Sequence, residues 1–217
     1  MQLVAGLGHD SAGSDLGQVL GVGHLGIKIY DDLEQAYRET DPQILIDFTQ
    51  GTVAARHLAQ ALKLGMNAII GTTALPTDGL REAEKLAAER HLGAAVIANF
   101  SLGAHLLTRL AREAGKIFTD LEIIELHASH KLDRPSGTAK YLAANLARDG
   151  QEIPIHSIRL PGLVAHQEVI FGGQGETLTL RHDVISREAY APGVIKAIRG
   201  IRRLDHLVYD LGDLLDK

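Results

Sequence analysis

Between residues 43 and 117, short apolar segments alternate with helical patterns, and this alternation limits the possible folds more than any other feature of the chain. The apolar segments are QILIDF (43–48), MNAIIG (66–71) and AAVIANF (94–100). The helical segments are TVAARHLAQALKLG (52–65), LREAEKLAAERHLG (80–93) and LGAHLLTRLAREAGKI (102–117), the first two ending at Gly65 and Gly93. Because the strands are apolar throughout, they predict a parallel sheet that is covered on both faces.

The pattern changes near residue 100. A longer strand, DLEIIELHASHK (120–131), precedes a helix, SGTAKYLAANLARDG (136–150). Two strand segments follow with no room for a helix between them, HSIRLPGLVAHQEVIFGG (156–173) and ETLTLRHDVIS (176–186). They predict an antiparallel or mixed open sheet. The final segment looks helical, with a break at Pro192-Gly193. We therefore predict an α/β domain over residues 1–99 and an α+β domain over 100–201, with 202–217 free to return to the first.

Composition excludes several classes of function. The chain has 217 residues, a formal net charge of −5 and no cysteine. The acidic balance argues against general nucleic-acid binding, and the lack of cysteine excludes disulfides and zinc–thiolate sites. No apolar run approaches the ~18 residues of a membrane span, and the first residues lack the pattern of a signal peptide. We expect a cytoplasmic protein without nucleic-acid or membrane partners.

The segment ELHASHKLDRPSGTAKYLA (125–143) carries the most chemistry. On a straight strand Glu125, His127, Ser129 and Lys131 share one face, while His130 points away. His127 and Lys131 would then be about 13 Å apart, too far to serve one small molecule. The turn signals at 133–137 predict that the chain bends and brings them together.

Ser136, Gly137 and Thr138 then open a helix, where free N–H groups and the helix dipole favour an anion. An imidazole, an ammonium group and an anion-binding helix start suit a small carboxylate substrate that undergoes proton transfer. Each feature alone has an ordinary explanation, since a histidine on a strand is more often structural and PSGT is more often a helix cap. HASH offers no metal site, because its two histidines point in opposite directions on a strand and no carboxylate completes the set.

The same segment resembles the dihydrodipicolinate reductase family, also called the 4-hydroxy-tetrahydrodipicolinate reductases. The family pattern is E-x-H-H-x-x-K-x-D-x-P-S-G-T-A. It is matched at Glu125, His127, Lys131, Asp133, Pro135, Ser136, Gly137, Thr138 and Ala139. Further likenesses follow in the family's order over nearly the whole chain: IDFT (46–49), GTT (71–73), ANFSLG (98–103), HQEVIF (166–171) and SRxxYxxGxxxAI (186–198).

The resemblance implies a Rossmann-like parallel sheet with an α+β C-terminal domain, a homotetramer, and hydride transfer from NADPH or NADH to C4 of a cyclic unsaturated dicarboxylate. The product would be tetrahydrodipicolinate, on the route to diaminopimelate and lysine. His127 would be the proton donor and Lys131 its cationic partner, and a substrate carboxylate would bind at the start of the 136–150 helix. The implied substrate-binding residues are Ser136, Gly137, Thr138 and Arg187. The implied cofactor-binding residues are Gly71, Thr72, Thr73, Ile97, Ala98, Asn99, Phe100 and His9.

Two departures from the family pattern qualify this prediction. The family's second histidine, which the resemblance implies helps to bind substrate, is Ala128 here and cannot serve that role. LVAGL (3–7) resembles the family's second strand, and 23–36 resembles the next strand and helix. The opening glycines are then not the pyrophosphate loop, since the segment after Gly13 is a poor helix former. We expect the family's first strand, glycine loop and helix to be absent, through a downstream start, a truncation or a natural loss.

The sequence leaves alternatives open both for the choice of NADH or NADPH and for the function. No carboxylate stands at the expected ribose-binding position, where Gly8 and His9 lie, and His9 favours NADPH only weakly. A non-catalytic relative that binds a dicarboxylate or a partner is the main alternative. An aspartate or homoserine dehydrogenase of similar domain plan ranks lower, because the 127–139 spacing does not belong to those enzymes.

Overall fold

The computed structural model describes residues 1–72, 74–148 and 150–215. The strands are β1 (Gly6–Leu7), β2 (Ile29–Tyr30), β3 (Ile44–Asp47), β4 (Asn67–Ile70), β5 (Ala94–Val96), β6 (Asp120–His127), β7 (Ile155–Arg159), β8 (Ala165–Gly173), β9 (Glu176–Val184) and β10 (Leu207–Val208). The α-helices are α1 (Leu16–Val19), α2 (Leu33–Thr40), α3 (Gly51–Leu64), α4 (Thr77–Arg90), α5 (Leu102–Ala114), α6 (Gly137–Leu146) and α7 (Ala191–Gly200). Short 3-10 helices span Arg187–Tyr190, Ile201–Arg203 and Leu211–Leu214.

The chain divides into two compact units. One comprises Met1–Ile97 and the residues from Ile198 onward, and the other is Ala98–Ala197. In the first unit, a parallel sheet of order β10-β5-β4-β3 packs against α3 and α4 around a core that includes Leu58, Leu62 and Ile70. This confirms the predicted parallel α/β sheet. It also contains a strand that the sequence did not predict, because β10 lies in the segment expected to be helical.

The glycine-rich opening folds as a loop rather than as a strand running into a long helix. Strand β1 pairs with β2 in a separate two-stranded parallel sheet. Between them α1 has four residues, and the carboxylate of Asp15 organises the loop. Its oxygens accept backbone N–H groups from Gln18, Leu25 and Ile27 at 3.0–3.1 Å. The segment after Gly13 therefore forms no long helix on the sheet, as its glycine content predicted.

The second unit has a mixed sheet of order β7-β6-β8-β9, as predicted. Strands β6 and β7 are parallel, and β6–β8 and β8–β9 are antiparallel. Helices α5 and α6 supply Leu107, Ala111 and Leu142 to a core shared with Ile123 and Phe171 of the sheet. One face of the sheet is thereby covered, and this covered face also carries the polar residues described below.

Several predicted boundaries were wrong, each for a local reason. Helix α4 ends at Arg90, since His91 adopts a left-handed conformation (φ 53°) that caps it. Gly93 has another use, because a Cβ there would lie 2.0 Å from the carbonyl oxygen of Ile201. Segment 156–173 is two strands, β7 and β8, separated by a turn at Gly162 (φ 84°). Helix α6 ends at Leu146, before the predicted stop at Gly150.

Pro192 and Gly193 do not break a helix but lie in the first turn of α7, where the missing N–H of proline is tolerated. Gly193 is needed there, since a Cβ would meet the carbonyl oxygen of Phe100 at 1.8 Å. Across the described residues, no helix has the length and apolar character that crossing a bilayer requires.

Candidate active site

Strand β6 delivers Glu125 and His127 to the covered face of the sheet, because residues two apart point the same way. Both side chains are buried, Glu125 completely. His127 Nδ1 is hydrogen-bonded to Glu125 Oε2, and Arg159 Nη2 on the adjacent strand donates to Glu125 Oε1 at 2.7 Å. An ionised carboxylate only accepts hydrogen bonds, so Nδ1 carries the proton and Nε2 is left as the basic nitrogen.

The electrostatics of this group favour an ionised Glu125 and a neutral His127. Burial opposes the charged form of Glu125, but hydrogen bonds led by that of Arg159 outweigh it and lower the pKa. Burial also lowers the pKa of His127, and the nearby charges of Lys131 and Arg159 act in the same direction against the opposing effect of Glu125. The imidazole is therefore a neutral group held beside positive charge.

The predicted bend follows directly after His127, where β6 ends. The backbone N–H of Lys131 donates to the carbonyl oxygen of Ala128 (3.1 Å), which closes a turn. Arg159 secures the chain beyond it by donating to the carbonyl oxygen of Asp133 (2.7 Å). Lys131 Nζ lies 2.7 Å from Asp133 Oδ1, so the ammonium group has a carboxylate partner within the same turn.

The predicted anion site is the start of α6. Ser136 is the N-cap, and its hydroxyl accepts the backbone N–H of Ala139 (3.2 Å). That hydroxyl is committed to the cap and the side chain is buried, so Ser136 serves the helix itself. Gly137 is exposed, and a Cβ at its position would meet nothing within 4 Å. Thr138 lines a cavity, so its hydroxyl lies at the start of the helix beside that space.

That cavity, of about 490 Å³, brings most of these groups together within the second unit. Among the predicted site residues, it is lined by His127, Lys131, Thr138, Arg187 and Asn99. Ala128, which replaces the family's second histidine, also lines it and contributes a methyl group. Ser136 and Gly137 do not line the cavity. This cavity is suited to a small acidic ligand that accepts or yields a proton. Around it lie the Lys131–Asp133 pair, the neutral imidazole of His127 and the start of α6.

The cavity is also lined by Gln167, His182 and Tyr190, for which the sequence analysis predicted no role. Gln167 and Tyr190 lie in the HQEVIF and SRxxYxxGxxxAI segments that resemble the family. His182 is largely buried, and this burial lowers its pKa. Its Nε2 lies 3.3 Å from Ser101 Oγ at the start of α5. The alternation along β9 places His182 on the same face as Leu178 and Leu180. The alternation in the sequence therefore predicts the face on which His182 lies, but the same pattern fits any half-buried residue of a strand.

Two of the predicted cofactor residues of the first unit, Gly71 and Ile97, follow the adjacent parallel strands β4 and β5 at their carboxyl ends, where such sheets bind ligands. Gly71 follows β4, and the Phe48 ring lies where its Cβ would be, at 2.1 Å. Ile97 follows β5 and donates its N–H to the carbonyl oxygen of Ile70 (2.8 Å). Thr72 is half-buried beside Gly71, His9 is exposed after β1, and Thr73 lies outside the described residues.

The remaining predicted cofactor residues open the second unit. Ala98 is exposed and Phe100 is buried. The Asn99 side chain accepts the backbone N–H of Ser101 (2.8 Å). In the first unit, Gly71 and the exposed ring of Phe48 beside it fit the flat nicotinamide end of a dinucleotide. Within the described residues, no glycine-rich turn that opens a long helix was found for the pyrophosphate.

Comparisons with known proteins give the same assignment. The family models described as dihydrodipicolinate reductase, N-terminus and C-terminus, match residues 1–100 and 103–215. The chain belongs to the dihydrodipicolinate reductase family. The 4-hydroxy-tetrahydrodipicolinate reductase of Syntrophomonas wolfei is 38% identical over 237 aligned residues, spanning 99% of this chain and 89% of the relative. That of Geobacillus kaustophilus is 40% identical, spanning 94% and 85%.

Solved structures agree with the family's fold. The dipicolinate-bound dihydrodipicolinate reductase of Paenisporosarcina sp. TG-14 has a TM-score of 0.84 and 33% identity, covering 99% of this chain and 90% of that one. An amine dehydrogenase from Mycobacterium smegmatis superposes with a TM-score of 0.69 at 14% identity, covering 100% and 89%, and shares the fold alone. The predicted family and fold class are thereby confirmed.

Proposed function

We propose that this chain is a nicotinamide-dependent reductase that converts a cyclic unsaturated dicarboxylate into tetrahydrodipicolinate, in the diaminopimelate and lysine pathway of the cytoplasm. Membership of the dihydrodipicolinate reductase family supports the reaction. The observation that carries the proposal is the cavity in which His127, Lys131 and Thr138 meet. A relative of known structure binds dipicolinate, an aromatic dicarboxylate of related shape.

The roles of the site residues follow from their charge and hydrogen-bonding groups. One carboxylate is assigned to the start of α6, where the Thr138 hydroxyl lines the cavity and Gly137 carries no side chain that would block the approach. Lys131 leaves Asp133 and offers its ammonium group to the ligand. Arg187 lies at the exposed edge of the cavity and adds positive charge. A bound dianion raises the pKa of His127, since opposite charge favours the protonated imidazole.

His127 holds the proton that the reaction consumes. With Nδ1 bound to Glu125, the proton gained on ligand binding resides on Nε2. When bound, the nicotinamide cofactor supplies the hydride, and the positive groups around the ligand offset the negative charge that develops on it. We assign Gly71, Thr72, Thr73 and Ile97 to the nicotinamide end, together with Ala98, Asn99 and Phe100. His9 is assigned to the ribose end, and the residues favour neither NADH nor NADPH strongly.

A turnover assay with 4-hydroxy-tetrahydrodipicolinate tests this function. We expect consumption of NADH or NADPH that depends on the substrate and is inhibited by dipicolinate. A folded protein that consumes neither cofactor in the presence of substrate would overturn the proposal.

One observation favours the alternative of a binding protein without reductase activity. Within the described residues the glycines of the opening segment surround a four-residue helix, which offers a weak anion site for a pyrophosphate. Calorimetric titration with NADPH and then NADH separates the two. Micromolar binding favours the reductase, and dipicolinate binding without cofactor binding favours the alternative.

A further inference from the structure

A row of polar residues crosses the covered face of the second sheet. Pairing aligns Ser157 with Glu125, Glu125 with Gln167, and Gln167 with His182. The neighbouring row on the same face contains Ile123, Val169 and Leu180, which belong to the apolar core or pack against it. The polar row thus lies at the boundary between the part of the sheet that packs in the core and the part that lines the cavity.

Ser157 and Gln167 each have a buried polar atom without a hydrogen-bond partner, and of the two only Gln167 lines the cavity. The Gln167 side chain is buried, with a relative exposure of 6%, and its Nε2 has no hydrogen-bond partner. Its two neighbours on the sheet are engaged elsewhere. Glu125 is held by His127 and Arg159, and His182 lies beside the hydroxyl of Ser101. A buried amide donor without an acceptor is costly and uncommon in native structures, which points to an acceptor that binds there.

Among the buried side-chain atoms of the described residues that have no hydrogen-bond partner, Gln167 Nε2 alone belongs to a residue that lines the cavity. His182 lines it at the adjacent position of β9. The amino end of α5 packs behind the His182 ring, where Gly103 permits the contact. A Cβ on Gly103 would lie 2.3 Å from His182 Nε2. With Nε2 turned toward Ser101, Nδ1 is the imidazole nitrogen left to donate to a ligand.

We propose that Gln167 and His182 form a second carboxylate subsite, which binds the substrate carboxylate that is not held at the start of α6. Two neutral donors hold this carboxylate, whereas the charged groups surround the other part of the ligand. This arrangement makes Gln167 a specificity-determining residue that distinguishes dicarboxylates from monocarboxylates. The inference rests on the proposed function, since it presumes a dicarboxylate ligand.

The test compares two ligands that differ by one carboxylate. Dipicolinate and pyridine-2-carboxylate are titrated calorimetrically into the wild-type protein, Gln167→Met, Thr138→Val and the control Gln174→Met. Gln174 lies exposed in the β8–β9 turn. We expect Gln167→Met to weaken dipicolinate roughly ten-fold and pyridine-2-carboxylate less than about two-fold, since a hydrogen bond to a charged group is lost for one ligand only. Thr138→Val weakens both, and Gln174→Met changes neither.

Failure of the inference and failure of the proposed function give different results. If dipicolinate binds the wild type but Gln167→Met weakens both ligands equally or neither, the subsite is wrong while the function stands. If the folded wild type binds no dipicolinate, the proposed function itself is contradicted.

A measurement on the unaltered protein covers the case in which Gln167→Met does not fold. The side-chain amide resonances of Gln167, assigned through contacts to β8, should shift when dipicolinate is added and remain in place with pyridine-2-carboxylate. Unchanged resonances at saturating dipicolinate would overturn the inference.

Discussion

Glu125 fixes the chemistry of the site at the scale of single residues. It is fully buried and ionised, and its two oxygens hold an imidazole and a guanidinium group on either side. Without the carboxylate, His127 would have no preferred tautomer and Arg159 would be a buried cation without its counter-charge. The imidazole of His127 is thus positioned by Glu125, which the sequence analysis identified only as part of the family pattern.

His127→Gln should lower kcat by about 10²–10⁴-fold, the usual contribution of a general acid or base. Dipicolinate binding should weaken much less, because the start of α6 is intact. Steady-state kinetics and calorimetry provide the two readouts. His156→Gln is a matched control, since His156 is exposed and paired with Glu122. Unchanged kcat in His127→Gln would contradict the assigned role.

Stability should fall as the pH drops, in two stages. The folded pKa of His127 lies below its ordinary 6.5, so its contribution is present above that value and is lost as the pH falls from it toward the lower folded pKa. Glu125 and Asp47 also have lowered pKa values, so their contributions are lost below about pH 4.5 and 3.8. Thermal melts across this range measure both stages. His127→Gln should reduce the upper stage to the contribution of His182, whose pKa burial also lowers, and an upper stage of unchanged size would refute this account.

Helix starts determine the site at the scale of secondary structure. Helix α6 places Thr138 at the cavity, and α5 places Ser101 and Gly103 against His182. Both helices begin with a serine whose hydroxyl accepts a backbone N–H. The cap fixes where each helix begins, and the beginning fixes which side chain reaches the ligand.

Gly103→Ala should destabilise the protein by about 2 kcal/mol and lower Tm by about 5 °C, because the new methyl group collides with the His182 ring. Dipicolinate affinity should fall with it if His182 belongs to the subsite. Gly172→Ala controls for the loss of glycine, since its Cβ would meet nothing within 4 Å. Equal melting temperatures for the two variants would show that the His182 ring moves freely.

Periodicity predicted most elements, and sequence proximity predicted part of the site. His127, Lys131 and Thr138 lie within a dozen positions of one another, so one turn suffices to bring them together. Gln167 and His182 were missed because alternation reveals the face of a strand but not its neighbours. Strand β10 was missed since two residues are too few for a period, and its pairing with β5 depends on the whole sheet.

For the whole molecule, we expect the homotetramer that the family resemblance implied, formed through the open face of the second sheet. This face carries cross-strand ion pairs, including Arg181 with Glu168, and the half-buried Ile170, whose strand partners are Glu122 and Thr179. Light scattering should give a four-fold mass that Ile170→Asp reduces. Ile117→Asp, at an exposed position after α5, should leave the mass unchanged. A monomeric wild type would contradict the assembly.

The central claim is that this chain transfers hydride to its dicarboxylate substrate, and isotope transfer tests it most directly. The wild-type protein is incubated with substrate and with NADH or NADPH deuterated at the transferable position of the nicotinamide, and the product is analysed by mass spectrometry. We predict one deuterium on the tetrahydrodipicolinate ring, with formation greatly slowed in His127→Gln. Product without deuterium, or no product from a folded protein that binds dipicolinate, would contradict the account.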